Sequence, residues 1–168
     1  MLIQEWLDAG IITPSRSTWA SPVVVVSQTT EGGNIKHRLC GNYKKLNETM
    51  FRQNFPLPRA EDLMEEMRGS TIFSVIDLQF AYLQLPLAEE DKAKTAIITP
   101  DSHYQFNYLP FGLSIASQSM QRITSYLFSD LLDKYVKIFQ DDLAVHSKSE
   151  AEHAVHVQEV LRRLAHAN

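Results

Sequence analysis

"VKIFQDDLAVHS", residues 136–147, sets two acidic side chains, Asp141 and Asp142, side by side between two apolar runs. The runs read as the two strands of a β-hairpin, and the tip between them contains no glycine. Two-residue hairpin turns favour Asn-Gly or Asp-Gly because their backbone needs positive φ. Holding Gln140 or Asp141 in such a turn stores about 1 to 3 kcal/mol of strain, a cost that concentrates at functional sites. The two carboxylates also repel each other unless a cation lies between them.

Upstream, "TIFSVID" (71–77) reads as an apolar strand ending on a further acid, Asp77. A sheet that paired this strand with "YVKIF" (135–139) would bring Asp77 next to Asp141 at one edge. Such hard oxygen ligands suit Mg²⁺, which takes few carboxylates and completes its shell with water and substrate phosphates. The chemistry natural to the cluster is two-metal phosphoryl transfer. The plain alternative is a solvated turn, which an Asp-Asp pair in a loop ordinarily is, and spacing alone does not choose between them.

Further out, residues 2–9 read as a helix with Leu2, Ile3, Trp6 and Leu7 on one face and Gly10 as its left-handed end. "TPSRSTWASP" (13–22) is an irregular link, "VVVVS" (23–27) and "IKHRLCGNY" (35–43) are hairpin strands, and "QTTEGGN" (28–34) is their loop. Ala60, Leu63, Met64 and Met67 have helical spacing after Pro58, with Gly69 as terminator. "YLQLPL" (82–87) reads as a strand, and "AKTAIITP" and "HYQFNYLP" as a further pair. Met120, Ile123, Leu127 and Leu131 mark an amphipathic helix over 117–132. Ser149 and Glu152 form a capping box for a last helix that turns Val157, Val160, Leu161 and Leu164 inward. This order of elements predicts an α+β fold with a largely antiparallel sheet.

With 168 residues, 44% hydrophobic and 21% charged, the chain suits one domain or two small lobes sharing a core. A lone cysteine, Cys40, excludes an internal disulfide and a thiolate cluster and reads as a small buried hydrophobe. The net charge of −4 argues mildly against a free-standing nucleic-acid binder. No window approaches a membrane span, and "MLIQEWLDAG" lacks the features of a secretory signal, so a reducing, intracellular setting and no membrane partner are expected. His153 and His156 are spaced to share a metal, but no further ligand is fixed, and "EHAVH" is not the zinc-protease order. "GGN" (32–34) lacks the context of a nucleotide fingerprint.

Around the hairpin, "GIITPSRSTWASPVVVV", "RLCGNYKKLN", "FPLPRAEDLM", "FSVIDLQFAYLQLPL", "KTAIITPDSHYQFNYLPFGLSIAS" and "FQDDLAVHSKSEAEH" stand in collinear order over nearly the whole chain. Together they resemble the reverse transcriptase of long-terminal-repeat retroelements, closest to the Ty3/gypsy branch. The resemblance implies a right-hand polymerase fold of which this chain carries fingers (1–51 and 86–115) and an incomplete palm (52–85 and 116–168), an antiparallel sheet packed on helices. By the same resemblance the primer grip, thumb, connection and RNase H are absent from the stretch, so an isolated fragment is expected to polymerise poorly or not at all.

The resemblance further implies RNA- and DNA-templated DNA synthesis on two Mg²⁺ ions, with Mn²⁺ as substitute. Asp77 and Asp141 would bind both ions, Asp142 would support them, and Leu78 would join the metal set. Arg38 matches a residue that grips the triphosphate, and Tyr82 a gate that excludes a 2′-hydroxyl. The backbone amides of Phe80 and Ala81 would face the phosphates, with Phe111, Gly112 and Gln140 around the nucleotide. Phe139 would lie at the primer end and Gln121 near the template. Implied partners are a primed RNA or DNA template, a dNTP, and polyprotein segments such as thumb, RNase H and integrase. The implied location is cytoplasmic, in the retroelement particle, or nuclear.

The chain departs from the pattern in several places. Phe139 and Gln140 stand where the family has a tyrosine and an apolar residue, and Gly41 and Asn42 where it has a valine and an acid. Ser27, Gln28 and Thr29 replace the usual basic residues, and "IASQSM" loses a proline. A second reading is therefore a non-catalytic descendant that binds nucleic acid or a protein partner, and a third is a fragment without function.

Overall fold

The structure is a computed structural model that describes residues 2–29, 33, 35–51, 55–56 and 58–167; of residues 2, 28 and 35–38 it describes the backbone alone. The chain divides into two compact units, residues 1–52 with 82–116 and residues 53–81 with 117–168.

The first unit opens with α1 (Leu2–Asp8), which ends at Gly10 with φ 67°. A short strand, β1 (Ile12–Pro14), occupies the start of the stretch expected to be irregular. β2 (Ser21–Thr29) and β3 (Ile35–Gly41) form the expected antiparallel hairpin, in register from Val23 opposite Gly41 to Thr29 opposite Ile35. Most of the loop expected between them, residues 30–32 and 34, lies outside the described residues. β5 (Ile97–Ile98) and β6 (His103–Phe106) pair antiparallel as expected. β5 also runs parallel to β2, and β6 pairs with β1, which completes a sheet of order β1-β6-β5-β2-β3.

Two short helices, α2 (Lys44–Thr49) and α4 (Glu89–Lys92), escape the sequence reading. Each is under two turns long and too short to display an apolar period; α2 buries only Leu46. The strand expected over "YLQLPL" is not one. It folds as a 3₁₀ turn over Ala81–Gln84, followed by a single bridge between Pro86 and Tyr108. Pro86 has no N–H to donate to a ladder, which prevents a regular strand from continuing through it. Ile12, Tyr43, Leu46, Ile97, Phe106 and Leu109 make the core of this unit. The Tyr43 hydroxyl donates to Thr95 O at 2.8 Å, and burial pushes its pKa up.

The second unit holds α3 (Ala60–Glu66), β4 (Ile72–Asp77), nearly all of α5 (Ala116–Leu127), β7 (Val136–Phe139), β8 (Asp142–Ser147) and α6 (Glu150–Ala167). Its sheet is antiparallel with order β4-β8-β7. The expected pairing of "TIFSVID" with "YVKIF" is thereby corrected: β8 lies between them. The reason is hydrophobic demand, since Leu143 and Val145 of β8 are fully buried and need strands on both sides.

On the helix-covered face, Val136, Ile138, Leu143 and Val145 pack with Phe128, Leu131 and Val160. Met64, Ile123 and Leu161, expected to face inward, are exposed, so each apolar stripe is narrower than its sequence suggests. The capping box forms: Ser149 Oγ accepts the N–H of Glu152 at 3.4 Å, and Ser149 O that of His153 at 2.9 Å. Arg163 ties α6 to the segment after α5 through a bidentate contact with Asp130 and a bond to Leu127 O. That guanidinium holds the Asp130 carboxyl at about 2. Among the described residues, no helix is long and apolar enough to cross a membrane.

Candidate active site

Residues directly opposite in an antiparallel pair project to the same side of the sheet. Asp77 is opposite Asp142 at the end of β4 and β8, and Phe139 of β7 is opposite Asp142 on its other side. Two acids and an aromatic ring therefore share one sheet face, away from α5 and α6. Asp77 and Asp142 are exposed. Asp141 sits in the turn, and its carbonyl accepts the N–H of Leu78 at 3.3 Å, which fastens the hairpin tip to the end of β4. One of its carboxylate oxygens, Oδ1, is shielded from solvent.

The tip carries the strain that its missing glycine implies: Gln140 has φ 56°. Gln121 holds it there from below. Gln121 is 4% exposed; its Oε1 accepts the N–H of Gln140 at 3.0 Å, and its Nε2 donates to Ile138 O at 3.4 Å. Gln121, expected near a template, is thus buried under the turn, and both ends of its amide are used on the hairpin.

A second left-handed residue, Phe80 with φ 53°, follows Asp77. The amide of Ala81, expected to face phosphates, donates instead to Leu78 O at 3.1 Å within this turn. Leu78 O retains a second lone pair.

A metal centre can be tested against the donor set. Asp77, Asp141, Asp142 and the Leu78 carbonyl offer hard oxygens, and among the described residues no Lys or Arg forms an ion pair with Asp77 or Asp142. Yet among the described residues no three His, Cys, Asp or Glu side chains converge into a cage for a metal. The donors fit Mg²⁺, which needs one or two carboxylates plus ligand oxygens, and do not fit an all-protein calcium or zinc site.

The remaining expected residues lie in the first unit. Tyr82 and Phe111 meet edge to face, with centroids 5.5 Å apart and planes at 67°. Gly112 has φ 95°, and a Cβ there would stand 3.2 Å from Gly41 O, so only glycine fits both demands. Asn47 braces that loop, donating to Gly112 O and accepting from the Ser114 N–H, both at 2.8 Å. Asn42, Lys44, Asn47 and Gly112 line an open cleft of about 610 Å³. The backbone of Arg38 pairs with Val26, while its side chain lies outside the description. Cys40 is half-buried.

The histidines of α6 are engaged in packing. Ser147 Oγ lies 2.9 Å from His153 Nδ1 and 2.8 Å from His156 Nδ1, and Ser74 Oγ lies 2.8 Å from His153 Nε2. The His156 ring stacks on Tyr135 at 3.6 Å. On the opposite sheet face His146 is buried with Nδ1 2.8 Å from Ser70 Oγ, and burial lowers its pKa, helped by Lys137 and His156.

The roles of Gln121 and Asn47 as backbone braces were beyond sequence reasoning, because a side-chain amide carries no periodicity. The left-handed φ of Phe80 was equally silent, since the turn after β4 lacks a glycine signal.

The family described as reverse transcriptase (RNA-dependent DNA polymerase) matches residues 31–168. The Pol polyprotein of transposon 297 from Drosophila melanogaster is 34% identical over 99% of this chain, which spans 16% of that polyprotein. The enzymatic polyprotein of figwort mosaic virus is 36% identical over 95% of the chain and 24% of its own length. The Pol polyprotein of the Drosophila melanogaster transposon gypsy is 34% identical over 99% of the chain and 16% of its own length. This chain is thus under a quarter of the length of these relatives. Among solved structures, the foamy viral protease-reverse transcriptase in complex with double-stranded DNA superposes with a TM-score of 0.90 at 18% identity, covering 99% of this chain and 28% of that one. A native prototype foamy virus protease-reverse transcriptase gives 0.85 at 20% identity, with 99% and 22% covered. At such identity these structures speak for the fold, a fingers-palm arrangement of α+β units. By the family match over residues 31–168 and its gypsy-type relatives, the chain belongs to the reverse transcriptases of retroelement polyproteins.

Proposed function

We propose that this chain is the fingers (first unit) and palm (second unit) portion of an RNA- and DNA-templated DNA polymerase, which extends a primer 3′-hydroxyl with dNTPs. The observation that carries this reading is the meeting of Asp77, Asp141 and Asp142 at one sheet end, joined by the β4–β8 register and the Leu78-to-Asp141 bond. Asp77 and Asp141 would hold Mg²⁺, with Asp142 and the Leu78 carbonyl in support. When bound, the ions supply the positive charge that favours a deprotonated 3′-oxygen and neutralises the triphosphate.

The chain's own residues do the positioning. Gln121 holds the Gln140 turn and so presents the Asp141 carboxylate at a set height. The Leu78-to-Asp141 bond keeps Asp77 and Asp141 from separating under mutual repulsion. Tyr82, braced by Phe111, is placed to act as the sugar gate of the fingers unit, and Arg38 to meet the triphosphate. Phe139 offers a face to the primer end but lacks the phenol that its family carries there.

Primer extension on poly(rA)/oligo(dT) with Mg²⁺ or Mn²⁺ tests the reading in a polyprotein that contains the chain. Extension that disappears in Asp77→Asn and Asp141→Asn is the expected result. Equal extension by wild type and Asp141→Asn would overturn the site assignment. Phe139 and Gln140 favour a second reading, a non-catalytic nucleic-acid binder, which predicts template binding without extension.

A further inference from the structure

Phe80 is a poor choice for the fold in two respects. Its φ of 53° lies where L-residues are disfavoured and glycine is at ease. Its aromatic residue is also 61% exposed, so it gains little from burial. None of the ring pairs formed among the described residues includes it. The turn is held by backbone bonds alone, Leu78 N–H to Asp141 O and Ala81 N–H to Leu78 O, and neither needs a side chain at position 80. Local choices that work against stability are expected at functional sites.

The place of this residue says what the ring could serve. It follows Asp77 by three positions, in a turn bonded to the hairpin that carries Asp141, Asp142 and the partly exposed Phe139. We propose that the Phe80 ring is a stacking surface for a nucleobase or its sugar beside the carboxylates. The proposal rests on the polymerase reading, which brings a nucleotide to that sheet end. An aromatic face stacks on any base, so it adds affinity without sequence preference, as a templated enzyme requires. The ligand is either a free nucleoside triphosphate or the terminal base of a strand, and the two share this chemistry.

The test uses the whole chain with Phe80→Gly and Phe80→Trp. Glycine keeps the left-handed backbone and removes the ring; tryptophan keeps a stacking face. Thermal melting is read beside binding of two probes, dTTP with Mg²⁺ and a DNA duplex with a recessed 3′ end. The expected result is a higher Tm for Phe80→Gly together with binding of one probe weakened about tenfold, restored in Phe80→Trp. Loss for dTTP alone assigns the ring to the free nucleotide, and loss for the duplex alone assigns it to the strand end. A higher Tm with both affinities unchanged overturns the proposal, as does a lower Tm, which would make the ring structural. Asp141→Asn separates the two levels of inference. If wild type binds, Asp141→Asn weakens Mg²⁺-dependent binding and Phe80→Gly does not, only the stacking role fails. A wild-type chain that binds neither probe removes the functional reading and this proposal together.

Discussion

Gln121 Oε1 accepts the backbone N–H of Gln140 at 3.0 Å, so a buried side chain on α5 fixes the left-handed residue at the tip of the acidic hairpin. An amide clamps a turn well because it offers both an acceptor and a donor, and here the donor reaches Ile138 O on the same hairpin.

Gln121→Leu keeps the volume and removes both bonds. The Gln140 N–H then loses its partner, at a cost of about 1 to 3 kcal/mol. Denaturant melts should show that loss, and amide exchange at Gln140 should accelerate more than at Leu143 in the centre of β8.

Gln140→Gly tests the strain directly. Glycine at φ 56° removes an unfavourable left-handed side chain and should raise stability by about 1 kcal/mol. A chevron or melt that shows destabilisation instead would mean that the Gln140 side chain makes a compensating contribution.

Acidification should weaken the second unit through His146. Its pKa is lowered in the fold by burial, then by Lys137 and His156, so the unfolded chain binds the proton more readily. Stability is then full above the ordinary histidine value of about 6.5 and falls as pH drops below it, levelling off beneath the folded value. Melts between pH 7.5 and 5 should show this slope, and His146→Leu should flatten it.

Ser147→Ala removes the one hydroxyl that lies between His153 Nδ1 and His156 Nδ1. Each imidazole loses a partner, and the start of α6 loses its tie to the sheet. The expected cost is about 1 to 2 kcal/mol, with faster amide exchange over Glu150–His156 than over the later turns of α6.

The acidic hairpin illustrates what can be read before folding. Two apolar strands, a tip without glycine and a third acid closing another strand are local patterns, and each survives in the folded chain: Gln140 is left-handed, and Asp77 ends β4. Collinear motifs likewise identify the family, because the order of chemistry along the chain is itself sequence. What local pattern could not specify was which strands are neighbours. An apolar run states that it will be buried but not by whom, so the expected β4–β7 pairing gives way to one with β8 between them, and Asp77 faces Asp142.

The same limit applies to side chains whose partners are distant. Gln121 reads as a polar helix residue, and Ser147 as a hydroxyl before a cap; only packing places one under a turn 19 residues away and the other between two imidazoles. Sequence alone determined the secondary-structure periods, the acids and the family, since these depend on residue type and short spacing. The tertiary structure alone decided strand order, the clamp on the hairpin and the left-handed Phe80, because each depends on hydrogen bonds closed between segments that meet only when the chain has folded.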